Sequence, residues 1–200
     1  MRRRRLWGDE RFRRSQASMR EKRIHIFGAP GSGTTTLGRM LGQALQIAVF
    51  DSDTYYWENS TIEFTIKRDV IKRNAMLAAE LSKHKNWIIS GSIMNWDDDA
   101  PQQFTHAIFL YLETETRIAR LHSREVARYG VEAVAPGGKR HQLTTSFLSW
   151  AAHYDDGTLS GRSLPLHEAW MKTLPCPILR LNSQAPVSVL IHDTLAFIRD

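Results

Sequence analysis

Ile24-His-Ile-Phe-Gly-Ala-Pro-Gly-Ser-Gly-Thr-Thr-Thr-Leu-Gly-Arg39 passes from an apolar run through glycines into hydroxyl residues and then into helical spacing. It reads as a buried strand, a tight turn and the start of a helix, the setting that a phosphate-binding P-loop requires. Gly28 and Gly33 stand where the pattern G-x-x-x-x-G-K-[ST] places its glycines, and Thr35 stands at its Ser/Thr. A strand that turns directly into a helix leaves backbone N–H groups converging at the positive end of the helix dipole. The residues of that cradle are Gly28, Ala29, Pro30, Gly31, Ser32, Gly33, Thr34, Thr35 and Thr36. Glycine is needed where the loop visits positive φ and where phosphate oxygens approach the backbone closely.

The lysine of the pattern is missing, and Thr34 takes its place. That lysine is the cation that reaches the β- and γ-phosphates. Three outcomes follow. An arginine from elsewhere replaces it, or turnover is slow, or the protein is a binding module. Arginines further along the chain favour the first.

Working outward, the body alternates short apolar strands with helices. Strands are predicted at about 23–28, 47–53, 87–91, 106–112 and 177–181. Helices are predicted at about 34–46, 62–84, 114–128, 144–154 and 186–198. The second helix is read on an apolar face of Ile66, Val70, Ile71, Leu77 and Leu81. This alternation predicts an α/β fold with a parallel sheet covered on both faces. Ligands of such sheets sit at the carboxyl ends of the strands. The glycine loop, Asp51, Asp53, Gly91 and the segment after Leu112 all fall at those ends.

The net charge of +6 comes from one end of the chain. Residues 1–23 carry ten Lys/Arg against Asp9, Glu10 and Glu21, whereas the rest balances seventeen basic with eighteen acidic residues. Residues 1–21 are read as a disordered basic tail, or residues 1–18 as a start-site extension ahead of Met19. Residues 22–200 are read as one domain. A near-neutral body argues against a specific nucleic-acid interface, which would carry its charge on the fold. No apolar run approaches the roughly 20 residues of a membrane helix, and no apolar segment of secretory type follows the basic start. The single Cys176, between Pro175 and Pro177, has no internal disulfide partner and fits a cytoplasmic location.

These features resemble the P-loop kinases of the adenylate kinase and shikimate kinase type, from about residue 23 onward. The stretches Gly31-Ser-Gly-Thr-Thr-Thr-Leu-Gly-Arg39, Asn86-Trp-Ile-Ile-Ser-Gly-Ser92 and Tyr154-Asp-Asp-Gly157 with Gly161-Arg-Ser163 resemble, more narrowly, small bacterial AAA-family ATPases or adenylate-kinase-like proteins of unassigned substrate. The resemblance implies a three-layer P-loop NTPase fold with a five-stranded parallel sheet in the order 2-3-1-4-5. It also implies a lid after strand four, at about 125–170. It implies roles for residues as well. Thr35 and Asp51 would hold Mg²⁺, and Asp53 would orient or deprotonate the acceptor hydroxyl. Arg120 and Arg124, spaced as at a lid entry, would neutralise the transferring phosphoryl group with Arg162. Arg68, Arg73 and Gly91 would contact the acceptor.

Each assignment has a plain alternative. An aspartate after a strand also caps turns. Arginines four apart also form a solvated helix face. Tyr55, Tyr56 and Trp57 stack on an acceptor or pack a helix against the sheet. His153, Asp155 and His167 match no standard metal spacing, so the segment 141–170 is read as a lid that excludes water. The expected activity is transfer of the γ-phosphoryl group of ATP, with Mg²⁺, to a small metabolite or a nucleoside- or nucleotide-like acceptor. GTP is the alternative donor, since the sequence does not distinguish the two. The alternative function is a non-catalytic nucleotide-binding protein or a slow NTPase switch with a protein partner. Neither an oligomeric state nor a membrane partner is indicated.

Overall fold

A computed structural model describes residues 21–96 and 99–199 of the chain. The basic tail expected over residues 1–21 lies, apart from Glu21, outside the described residues. Five strands, β1 (Arg23–Gly28), β2 (Ala48–Asp51), β3 (Trp87–Ser90), β4 (His106–Tyr111) and β5 (Ile178–Asn182), form one sheet. Its order is β2-β3-β1-β4-β5, and every pairing is parallel. This is the expected P-loop NTPase topology. The central strand pairs Ile24 with Ile88 on one side and with His106 on the other.

Nine helices accompany the sheet among the described residues: α1 (Thr34–Leu45), α2 (Ser52–Tyr56), α3 (Val70–Leu81), α4 (Asp99–Gln102), α5 (Thr114–Tyr129), α6 (Val131–Val134), α7 (His141–Ala152), α8 (Leu164–Met171) and α9 (Val187–Phe197). Side chains alternate across a strand, so the buried run of β1 feeds two cores. Ile24 and Ile26 pack with Leu37 and Leu41 of α1, Ile108 and Leu110 of β4, and Leu190 of α9. On the opposite face, Phe27, Ala107 and Phe109 pack against Met171 of α8. Trp87 and Ile89 pack against Leu77 and Leu81 of α3 on that side. Fully burying one such side chain contributes about 1.5–3 kcal/mol. The two cores make the middle of the sheet a rigid support for what its carboxyl end carries.

Helix α1 lies unusually close to the sheet. A Cβ at Gly42 would fall 2.2 Å from Val49 Cγ2, and one at Gly38 would fall 2.9 Å from Ser90 Cβ. These two glycines set the approach of the loop's own helix to β2 and β3.

Three expectations are corrected. Strand two ends at Asp51 rather than Asp53, because the Asp51 carboxylate accepts the Asp53 N–H and caps α2. The helix expected from residue 62 starts at Val70, capped by Asp69. Of its predicted face, Leu77 and Leu81 are buried, whereas Ile66, Val70 and Ile71 are exposed. Residues 57–67 instead fold back on themselves. Trp57 and Lys67 form an antiparallel bridge, and the Glu58 N–H donates to Ile66 O. Last, no helix was expected over residues 164–171, where α8 lies, with Ser163 as its N-cap and a proline in its first turn.

Candidate functional site

The loop between β1 and α1 is a cradle of N–H groups. Gly31 and Gly33 take φ of 84° and 94°, the left-handed region open to glycine. The first helical bond runs from Leu37 N–H to Gly33 O. The N–H groups of Thr34, Thr35 and Thr36 precede it and point out of the helix start. Gly28 is needed for another reason: a Cβ there would meet Leu110 O at 2.3 Å. The Ser32 hydroxyl is buried in the loop without a hydrogen-bond partner among the described residues. Such an orphan is costly unless something else satisfies it, and a phosphate oxygen in the cradle has the right chemistry.

Beside the cradle, the Thr35 hydroxyl donates to Asp51 Oδ2 at 3.0 Å. The other Asp51 oxygen caps α2 and so fixes the start of the turn that carries Asp53. Asp53 is exposed to water, yet the cleft it faces holds the charges of arginines from later segments. Desolvation there pushes its carboxyl above the usual carboxylate range, against the pull of Arg162. Asp51 raises it further, and Arg124 and Arg128 lower it. Three arginine fields therefore converge on one acid.

The candidate arginines separate in space. Arg124 lies over the Phe147 ring at 5.7 Å and pairs with Glu125 at 3.3 Å. Arg162 lies over Trp150 at 5.5 Å. Arg120 does not join them. Both its terminal nitrogens donate to Ser183 O at 3.4 Å, on the loop after β5. Helical spacing put Arg120 and Arg124 on one face, but the guanidiniums turn to different partners.

On the acceptor side, Arg68 donates to the carbonyls of Thr54 and Tyr55 at 3.0 and 2.6 Å. Through these two carbonyls it closes the end of α2. Arg73 is buried between rings, 4.1 Å from the Trp96 centroid and 5.6 Å from that of Tyr56. Burial depresses its ionisation. Gly91 ends β3 with φ of 88°, and a Cβ there would strike Ser52 Oγ at 2.1 Å. Its carbonyl accepts from His25 Nε2 at 2.9 Å. Of the three aromatics after Asp53, Tyr55 enters the core with Leu77 and Leu81. Tyr56 stacks on Trp96, and Trp57 meets Phe64 edge-on.

Sequence reasoning missed a buried network. His167, fully enclosed, has Nε2 2.8 Å from Ser92 Oγ and Nδ1 2.6 Å from Tyr154 Oη. Burial, aided by the Arg162 and His25 charges, pushes its pKa down to about 3. Burial also raises the Tyr154 phenol. Arg117, fully buried, donates to Leu112 O, Ala151 O, Thr114 Oγ1 and Asp155 Oδ1, at distances of 2.8–3.1 Å. His167 and Asp155 are thus occupied, and no group of three His, Cys, Asp or Glu among the described residues is arranged for a metal. Arg128 was also overlooked. It stands one further helical turn beyond Arg124, so continuing the four-residue spacing would have found it.

A family model described as an AAA domain matches residues 24–134. A protein of Bacillus subtilis (strain 168), "Uncharacterized protein YqaC", is 37% identical over 178 residues, covering 89% of this chain and 98% of the relative. Among solved structures, a shikimate kinase from Bacteroides thetaiotaomicron superposes with a TM-score of 0.54 at 16% identity, over 90% of this chain and 99% of that one. A gluconokinase from Sinorhizobium meliloti 1021 gives 0.53 at 15%, over 90% and 92%. A deoxyadenosine kinase from M. mycoides, with bound dATP, gives 0.53 at 14%, over 89% and 100%. These structural likenesses establish the P-loop kinase fold.

Proposed function

Because the chain belongs to the AAA-domain family and has the P-loop kinase fold, we propose that it binds a nucleoside triphosphate and transfers its γ-phosphoryl group to a small-molecule hydroxyl. The observation that carries this reading is the Thr35–Asp51–Asp53 arrangement at the mouth of the cradle. A mere anion site would need the loop alone. An acid beside it, under converging arginine charges, is suited to an acceptor hydroxyl.

The residues divide the work as follows. Loop N–H groups and the Ser32 hydroxyl hold phosphate oxygens. The Thr35 hydroxyl and the Asp51 carboxylate are adjacent hard oxygen donors and fit Mg²⁺, which takes one or two protein oxygens plus phosphates rather than a full protein cage. When bound, that ion would neutralise phosphate charge. Asp53 orients the acceptor hydroxyl and takes its proton. Arg124 and Arg162 stabilise the charge spread over the transferring oxygens. Arg120, held at Ser183, steadies the loop after β5 rather than the phosphates. Residues 22–200 act as one domain, and the segment at about 125–170 acts as a lid that excludes water. The acceptor is a small metabolite or nucleoside-like molecule that reaches Asp53 past Arg73 and Gly91. ATP is the proposed donor, with GTP the competitor to be tested.

The test is calorimetric titration of ATP and GTP, with and without Mg²⁺, followed by an acceptor screen on the donor that binds. Asp53→Asn should abolish transfer and leave donor affinity nearly intact. Equal loss of both would remove Asp53 from the chemistry. Thr34 favours a second reading, a nucleotide-binding protein or slow NTPase without an acceptor. Thr34→Lys separates the two. A site whose cation is supplied elsewhere gains little affinity, whereas a site that has simply lost its cation gains tenfold or more.

A further inference from the structure

The segment after β2 reaches across the cleft and touches the lid. Residues 57–67 fold back through the Trp57–Lys67 bridge, so their tip lies at residues 62–65. There Tyr129 Oη donates to Glu63 Oε2 at 3.2 Å, and Arg140 Nη1 donates to Glu63 O at 3.2 Å. Arg140 also lies 4.0 Å from the Tyr129 centroid and is buried. Phe64 places its ring 5.0 Å from the Arg128 guanidinium. To do so its backbone takes φ of 62°, a left-handed conformation uncommon for a bulky residue. A strained residue persists where its surroundings over-determine it, and such residues gather at clamps and switches. Helix α5 lies against the cradle, since a Cβ at Gly31 would fall 2.9 Å from Arg117 O and 3.0 Å from Leu121 Cγ, and Arg128, seven residues after Leu121, is on the same face of that helix. Unlike Arg124, Arg128 has no acidic partner within ion-pair distance among the described residues, only two aromatic rings.

We propose that residues 57–67 form an arm whose tip, Glu63 and Phe64, clasps the lid and holds Arg128 over the cleft as the phosphate-neutralising cation that the loop lacks at Thr34. This rests on the nucleotide reading above. An aromatic face holds a guanidinium in place without neutralising it, so the arm orients Arg128 and leaves its charge free for a ligand. In a P-loop with its lysine the cation is part of the loop. Here it would arrive with the lid, and triphosphate affinity would depend on an arm that touches no phosphate. Glu63 and Phe64 are positioning residues in this scheme, and Arg128 is the ligand contact.

The experiment is calorimetry on the full chain with Mg·ATP and Mg·ADP. Arg128→Gln should weaken ATP about tenfold and ADP less, as loss of one charge-assisted phosphate contact predicts. Phe64→Ala and Phe64→Leu should each weaken ATP in the same direction, and Phe64→Ala added to Arg128→Gln should cost nothing more. Thr34→Lys in the Arg128→Gln background should restore ATP binding. Unchanged ATP affinity in both Phe64 variants, or fully additive losses, overturns the proposal. Phe64 is 37% exposed, so its variants should fold, and thermal unfolding checks that they do. If the unaltered chain binds neither ATP nor GTP, the nucleotide reading itself has failed and Arg128 loses its assigned role. The clasp is then judged without ligand. Faster tryptic cleavage after Lys67 in Phe64→Ala than in the unaltered chain supports it, and equal rates overturn it.

Discussion

Lowering the pH from 7 to 5 should destabilise this fold through two imidazoles that have no route to water. His25 is fully buried, stacked between Phe27 and Phe104 at 4.9 and 4.8 Å, with Nδ1 lacking a partner. Burial lowers its pKa from 6.5 to about 4, opposed by its bond to Gly91. His167 falls to about 3 by burial and neighbouring positive charge. The sign follows from proton counting. In the unfolded chain each histidine takes up a proton below about pH 6.5, and in the folded chain neither does until far lower. Stability is therefore full above 6.5 and lost as pH falls toward the folded values. Between pH 7 and 5 each group should cost about 1.9 kcal/mol, together about 4 kcal/mol, a large part of a typical 5–15 kcal/mol. Urea unfolding at half-unit pH intervals measures the slope. His167→Gln will be less stable throughout, but its stability should fall less steeply with acid, by about 1.4 kcal/mol per unit near pH 5. Parallel slopes for variant and parent would refute the claim that His167 is held neutral.

Three other outcomes are expected. Arg117→Met removes four hydrogen bonds, two of them fully buried, and orphans Leu112 O and Ala151 O. It should cost about 3–5 kcal/mol by the same urea assay, and it should free α7 from α5. Asp53→Asn should raise the melting temperature at pH 7, because the cleft opposes ionisation of that carboxyl. A raised carboxylate costs nothing below its unfolded pKa, so the gain should vanish near pH 3. Gly42→Ala would drive a methyl to 2.2 Å from Val49 Cγ2 and should destabilise by about 1–3 kcal/mol, visible as a lowered denaturation midpoint. A gain in stability, as helix propensity alone predicts, would mean that α1 is free to move off the sheet.

The scaffold was legible because it rests on short-range patterns. Apolar runs of strand length, the glycine loop and the helix spacing of Leu37 and Leu41 each report their own burial. Met40, in the same pattern, is 36% exposed, which marks the limit of periodicity near a helix edge. The region around residue 66 was misread because Ile66, Val70 and Ile71 carry helical spacing without a core to meet. The Trp57–Lys67 bridge and the Asp69 cap decide that region, and both act through the backbone. The loop, Asp51 and Asp53 are adjacent to strand ends and could be placed from sequence. The carbonyls that Arg120 and Arg68 bond could not, since a long side chain with several donors turns to whichever carbonyl tertiary structure supplies. The Ser92–His167–Tyr154 contacts span 75 and 13 residues, a separation that no local pattern encodes.

The central place of β1 also bears on how the chain comes to be folded. The strand that feeds the cradle is made first, yet its neighbours are β3 and β4, and Arg23 meets Thr105 across 82 residues. At about 5–20 residues per second of synthesis, those residues take roughly 4–16 s to appear. Until β3 is made the Ile24–Phe27 run has no parallel partner, and until β4 follows it is paired on one side only, and long-range parallel pairing is intrinsically slow. A nascent chain stopped before β4 would display its most apolar strand to chaperones and would hold no phosphate. Ligand capture on the ribosome should therefore appear only after β4 has left the exit tunnel.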